Sequence, residues 1–447
     1  MRISAKRSQR QAKRGLRYQR MQACLIRLLA PLVWVAGNAC GGRPVTLPVV
    51  CISFQDVQTV TSSEDGESGS LREAIRKANE SPGPGVISFN LPKDRLRIRL
   101  RSPLPPIRDA VTINGFNQRG GRVELDGAGA GREANGLTII GSGNTIQGLV
   151  IYNFSGHGVL ISGRISGAKA IKNQVVDNFI GTDAEGIRGP GNGKDGVFVD
   201  LNSSDSLIAR NRIARNKCNG VNLPGNGASK GVCESLPADE KFPPPVRIAI
   251  RKNLIFANRG IPIDLGNDGP TPNGAHKGDP TGPNNWQTFP VLTPPAQYNS
   301  APRRKLGFGF AFSSAPAHAA ETAAGAGEIK IIVKGKVLGE SNRCYTVEFF
   351  LRRGCLQGDT NDTGSDYIGE AQICLGGNSE MEFTREIVFP GSGVGGFINA
   401  TVTDASGNTS EFSDCVTWQR VGLQRPRGPY TAAGGGQSRQ PYHHPRS

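Results

Sequence analysis

The chain is poor in the residues most active sites draw on: five His, three Trp, three Met and 6 % aromatic residues in 447. So few histidines weigh against a His-based catalytic set. No Ser/His/Asp arrangement, zinc-ligand spacing or phosphate-cradling glycine loop is present either. Few aromatics (Tyr152, Phe154, Phe179 and Phe198 among them) leave little for a broad sugar-stacking face. Helical periodicity is scarce; Ser70–Glu80 is the one clear amphipathic helix, with Glu73 three residues after Ser70 as a capping box. Acid is missing from residues 1–39, which hold nine of the +16 net charges. The apolar run there, Leu25–Gly37, is broken by Arg27 and too short for a membrane span. Residues 1–39 therefore read as a secretory signal peptide. What charge remains is mild and makes no case for nucleic acid.

What is abundant is Gly (60) and Pro (30), the composition of an all-β chain with many turns. One frame recurs: a turn residue, four residues, then Asn, as Gly148–Asn153, Asn173–Asn178, Asn211–Asn216 and Asn253–Asn258. Each is followed by Gly and an aliphatic strand, at Gly158, Gly196, Gly220 and Gly260. Such a repeat predicts stacked parallel coils, with Asn hydrogen-bonding along the stack. Earlier strands are expected at Val86, Leu96–Leu100, Val111, Val123 and Leu137, and the Ser70–Glu80 helix is expected to cap the core.

The predicted organisation is a cap helix and β-solenoid over 40–294, a Pro/Ala/Gly/Ser linker over 295–326, a small antiparallel sandwich over 327–420, and a disordered tail over 421–447. Eight cysteines would remain after leader removal, an even number suited to an exported chain. Cys218 and Cys233 bracket one insert. Cys344 opens a predicted strand and Cys374 closes the next, so Cys344–Cys374 is the expected bridge. Cys355–Cys415 and Cys40–Cys51 follow by elimination among 105 pairings.

Gly69–Ile75 (GSLREAI) resembles the signature of bacterial exported proteins carrying a CSLREA or SLREAI motif, with Gly69 in place of the first Cys. Further matches are Gly143–Leu149, Ile180–Asp183, Ile263–Gly269, Thr281–Asn285, Phe289–Leu292 and Val402–Phe412. The resemblance implies a right-handed parallel β-helix of the pectin-lyase-like kind with an Ig-like β-sandwich behind it. It implies a secreted or cell-surface bacterial protein, but no reaction.

Polysaccharide is the first partner class such a fold suggests, by analogy alone. Gly156-His157-Gly158 matches the short His motif of polygalacturonase-like hydrolases, yet the paired aspartates those enzymes need upstream are missing, as is any lyase Arg-Pro-x-x-Arg. Asp200 and Asp264 each end a Gly-led strand in what reads as equivalent register, the candidate carboxylates of a glycan hydrolase or lyase. Asp264, Asp268, Asn273 and Asp279 gather hard oxygens in one loop, a set Ca²⁺ would accept although no cofactor is required. Arg95, Arg97, Arg99 and Arg101 alternate with Leu96, Ile98 and Leu100, which puts four guanidiniums on one strand face. That row suits an acidic polysaccharide. The preferred reading is carbohydrate binding or adhesion; the alternatives are glycan cleavage and a structural spacer whose 327–420 module docks to a surface-layer partner.

Overall fold

The computed structural model describes residues 56–298 and 328–420, apart from 82, 109, 232–234, 240, 277, 278, 280, 353, 356–364 and 391–394. The leader, Cys40, Cys51, Cys233, the tail and most of the expected linker lie outside the described residues. Residues 56–286 wind through three parallel sheets; from Val111 onward each turn adds a strand to every sheet, while the earlier turns contribute to one or two. The first sheet takes Asp56–Val60, Gly85–Phe89, Val111–Asn114, Thr145–Gln147, Gln174–Val176, Ser203–Ala209 and Val246–Arg251, plus the short piece Ala170–Ile171. The second takes Arg97–Arg99, Val123–Asp126, Leu149–Tyr152, Phe179–Ile180, Arg212–Ala214 and Leu254–Phe256. The third takes Leu137–Ile139, Val159–Ile161, Val197–Val199, Val221–Pro224 and Ile263–Gly266.

Inward positions repeat from turn to turn because the register is exact to the residue. Ile87, Ile113, Ile146, Val175, Ile208 and Ile250 stack in the first sheet. Ile98, Leu125, Ile151, Ile180, Ile213 and Ile255 stack in the second. All are buried in one core, and each contributes roughly 1.5–3 kcal/mol of apolar burial. The helix Leu71–Glu80 forms as expected: Ser70 Oγ accepts from Glu73 N and Glu73 accepts from Gly69 N. Its Leu71, Ala74, Ile75 and Ala78 join the core beside the first two strands.

Asparagines do stack, but not in the phase the frames suggest. At the corner between the first and second sheets, Leu149 N donates to Asn178 Oδ1, Asn178 to Asn211 and Asn211 to Asn253, across 29, 33 and 42 residues. Each side-chain amide also donates to a carbonyl of the preceding turn: Ile146, Val175 and Ile208. The corner before the third sheet repeats this with Phe154, Asn192, Asn216 and Asn258. The corner before the first sheet uses Val111, Asn144, Asn173 and Ser206. Thus Asn173–Asn178 flanks a first-sheet strand, whereas Asn211–Asn216 and Asn253–Asn258 flank second-sheet strands. The same spacing appears at different corners because both sheets use equally short strands and every corner strands a backbone N–H.

The second module departs from a two-sheet sandwich. Its seven strands form one sheet in the order Ser365–Cys374, Cys344–Arg352, Gly395–Asp404, Val416–Arg420, Val291–Tyr298, Glu328–Leu338, Glu380–Pro390. The two edge strands contact each other, so the sheet curls on itself around a second core. The expected linker is corrected at its start: Val291–Tyr298 is a strand, antiparallel to Glu328–Leu338 and parallel to Val416–Arg420, with its register breaking between Thr293 and Gln297. It joins what would otherwise be two sheets. The final strand is Val416–Arg420. Cys344 and Cys374 face each other and are bridged, as are Cys355 and Cys415. Cys218 is also disulfide-bonded.

This module closes the last turn of the solenoid. Asn408 Oδ1 accepts from Arg247 N, Thr409 Oγ1 from Ile250 N, Glu348 from Lys252 N and Glu411 from Leu265 N. Asn284, from the loop after the last turn, accepts from Ile248 N and donates to the Ile248 and Thr409 carbonyls. Side chains thus take the place of a further turn along the open edges of the first and third sheets, which would otherwise invite pairing with another chain. The segments Ile263–Gly269, Thr281–Asn285 and Val402–Phe412 meet here.

Candidate functional site

The outward row of the third sheet carries the densest polar cluster. Register aligns Leu160, Phe198, Asn222 and Asp264. Asp264 is therefore level with Phe198, two residues short of Asp200. The equivalent register expected for Asp200 and Asp264 is corrected: Gly220 aligns with Pro262, so Gly260 opens its strand two residues early. Asp200 accepts from Ser162 Oγ (2.8 Å), Arg164 Nε (3.0 Å) and Leu201 N, fixing the short helix Gly163–Ser166. Asp264 is fully buried and accepts from Asn219 Nδ2 (2.8 Å) and Asp268 N. Burial, reinforced by the charges of Asp268 and Asp195, pushes its carboxyl up to about 7. The two aspartates hold separate structural features and do not face one another as an acid–base pair.

Beside Asp264 runs a fourth ladder. Asn135 Oδ1 accepts from His157 N, His157 Nδ1 from Asp195 N, Asp195 from Asn219 N and Asn219 from Ile261 N. His157 stacks on Phe198 (4.6 Å) with Nδ1 3.3 Å from Asp195 Oδ2. Asn222 Nδ2 bridges Asp195 and Asn267, leaving its buried Oδ1 without a hydrogen bond. His157 thus occupies a corner position in a structural ladder.

The proposed oxygen-ligand set is dispersed. Asn273 exchanges two hydrogen bonds with the Phe289 backbone, and Asp279 accepts from Thr281 and Trp286. Among the described residues no group of three or more His, Cys, Asp or Glu is placed so that it could hold a metal ion.

The arginine alternation is only partly a strand: Arg97–Arg99 pairs with the next turn, while Arg95 and Arg101 lie just outside it. Ile98 and Leu100 enter the core, and Arg95, Arg97, Arg99 and Arg101 are exposed. Arg97 pairs with Glu124 (3.1 Å), Arg101 with Glu64 (3.6 Å) and Arg95 with Asp94 (4.0 Å); Arg99 lies opposite Asp126 in register. On the same face, three strands further on, Arg122 and Arg212 both lie over the ring of Phe179, at 4.0 and 5.4 Å. This group is not legible in the sequence, because its members come from separate turns and meet only through the register of the coils.

No family model and no curated sequence matches this chain. Among solved structures it is similar to the full-length tailspike protein 2 of the Escherichia coli O157:H7 bacteriophage CAB120, at 11 % identity and a TM-score of 0.19. The match covers 76 % of this chain and 58 % of the tailspike. Among the described residues no helix is long and apolar enough to cross a membrane.

Proposed function

We propose that this is an exported bacterial protein, secreted or held at the cell surface, whose solenoid binds acidic polysaccharide without cleaving it. The observation that carries the reading is the exposed set Arg95, Arg97, Arg99 and Arg101, of which Arg97 and Arg99 stand side by side on the outer face of the edge strand Arg97–Arg99 and the other two flank it. Alternate residues of a strand stand about 6.5–7 Å apart, a spacing at which successive guanidiniums grip successive oxyanions. Cleavage has less support, since Asp200 is taken up by Ser162 and Arg164 and Asp264 by Asn219. A right-handed coil sense and kinship with the SLREAI-motif proteins belong to the same proposal.

The test is size-exclusion chromatography of the protein with acidic and neutral polysaccharides, following polymer length and protein position together. Co-elution with acidic polymers only is expected, disappearing at about 0.5 M salt, where exposed charges are screened. Arg97→Glu with Arg99→Glu is expected to weaken binding at least about tenfold, or 1.4 kcal/mol. Shortened polymer would replace this reading with a hydrolase or lyase. No co-elution with any polymer would overturn it.

A further inference from the structure

The outward row of the second sheet runs Arg97, Glu124, Val150, Phe179, Arg212. Arg122, from the turn before Val123–Asp126, reaches along this row and donates to the Asp177 carbonyl at 2.9 Å, with its Cζ 4.0 Å from the Phe179 ring centroid. Arg212 shares that ring and donates to the Gly186 carbonyl. The loop carrying Gly186 is held shut by Asp183 Oδ1, which accepts from Ile187 N and Arg188 N. Phe116, 55 % exposed, lies 5.7 Å from Arg122 Cζ.

A guanidinium has five N–H donors. Among the described residues Arg122 and Arg212 each donate one hydrogen bond, and both of these go to neutral carbonyls. The acids whose fields reach them are Asp177, already bidentate to Arg210, and Asp366. Burial, and for Arg122 the charge of Arg212 as well, pulls both guanidiniums below their ordinary value. Two half-buried like charges on one aromatic ring are costly alone and favourable with an anion between them.

We propose that Arg122 and Arg212 form a subsite for a single carboxylate or sulfate of an acidic sugar, whose ring rests against Phe116. This rests on the acidic-polysaccharide reading and names where one sugar unit is held. The subsite lies three strand spacings, about 14 Å, from Arg97. Between them Glu124 is engaged by Arg97 and by the Tyr152 hydroxyl. Anions meeting both places are therefore separated by uncharged units, unlike a nucleic-acid strand with a charge every ~3.4 Å.

The test is ligand-observed NMR of the full chain with glucuronate, glucose 6-sulfate, glucose and a single-stranded oligonucleotide. Binding of the two anionic sugars but not glucose is expected. Arg122→Lys and Arg212→Lys keep charge and stem but lose the fork, and each should weaken that binding at least about fivefold. Arg122→Gln should weaken it at least about tenfold, with circular dichroism confirming the fold. Phe116→Ala should weaken glucuronate binding, while inorganic sulfate added as a competitor should displace glucose 6-sulfate with the same inhibition constant as in the wild type. Arg97→Glu should weaken polymer binding. If the wild-type chain binds neither anionic sugar, or both lysine variants bind normally, the subsite is wrong even if polymers co-elute. If the sugars bind and no polymer does, the subsite stands and the polysaccharide reading falls. Preferential oligonucleotide binding that Arg122→Gln abolishes would overturn the sugar assignment.

Discussion

Asn211→Leu is expected to destabilise the solenoid by about 2–6 kcal/mol, because two buried backbone groups lose their partners at roughly 1–3 kcal/mol each. Asn211 Oδ1 accepts from Asn178 N at 2.9 Å, and Asn211 Nδ2 donates to the Val175 carbonyl at 2.7 Å. Both groups are inside the protein, where water cannot replace the lost bonds. Leucine has the right volume but neither an acceptor nor a donor. Asn211→Ser should cost less: at the preceding corner Ser206 already accepts from Asn173 N at 3.1 Å, so a hydroxyl restores the acceptor half of the ladder. Urea unfolding measures both variants, and hydrogen exchange at the Asn178 amide should quicken in Asn211→Leu. A loss under about 1 kcal/mol would mean the ladder does not stabilise the stack.

The second large effect is on pH. Glu411 sits between the second module and the last turn, accepting from Leu265 N, Thr271 N and Thr271 Oγ1. Burial pushes it up to about 8 against the pull of those donors, and the Asp264 charge adds to the rise. Asp264 itself stands at about 7. Both values lie above the unfolded ones, so the folded state holds protons the unfolded state has released. Their stabilising contribution is complete below about pH 4 and is lost as pH rises through 7 and 8. Each unit is worth about 1.4 kcal/mol, and the two carboxyls titrate as a coupled pair. Asp205, held at about 2 chiefly by its bond from Arg247, acts oppositely: its contribution is complete above about pH 4 and is lost as pH falls toward 2. Stability is therefore expected to peak near pH 5 and fall by several kcal/mol toward pH 9. Glu411→Gln should flatten that fall, since it removes one of the two titrations. Thermal midpoints from pH 4 to 9 check this; a flat wild-type profile, or an unchanged slope in the variant, would refute it.

How far each feature could be read in advance follows from the range of the forces behind it. The cap at Ser70 and Glu73 is a contact between residues three apart; its Ser70 half formed as expected, while Glu73 reaches one residue further back, to Gly69 N. The alternation from Arg95 to Arg101 is a property of one short run of residues, so its faces were legible while its ion pairs with Glu124 and Glu64 were not. The Asn frames announced corners, but spacing along the chain cannot say which corner. Turn lengths of 29 to 42 residues hide the phase. The same uncertainty moved Asp264 two residues away from Asp200. Val291–Tyr298 was invisible as a strand because its two prolines read as linker, yet a strand that changes partners can accept the break they cause.

By itself, then, the amino-acid sequence determined the period-two alternation of apolar residues, the Asn-marked corners, the cap helix and the facing cysteines 344 and 374, all of which depend on neighbours or on one strand pair. Only the tertiary structure decided that Asn408, Thr409 and Glu411 finish the open sheets of the solenoid, that Asp264 is a buried carboxyl of the last turn, and that Arg122 and Arg212 meet on Phe179. Each of those depends on how many residues separate successive turns, and in a stack of parallel strands that register is set by packing between turns rather than by any local run of residues.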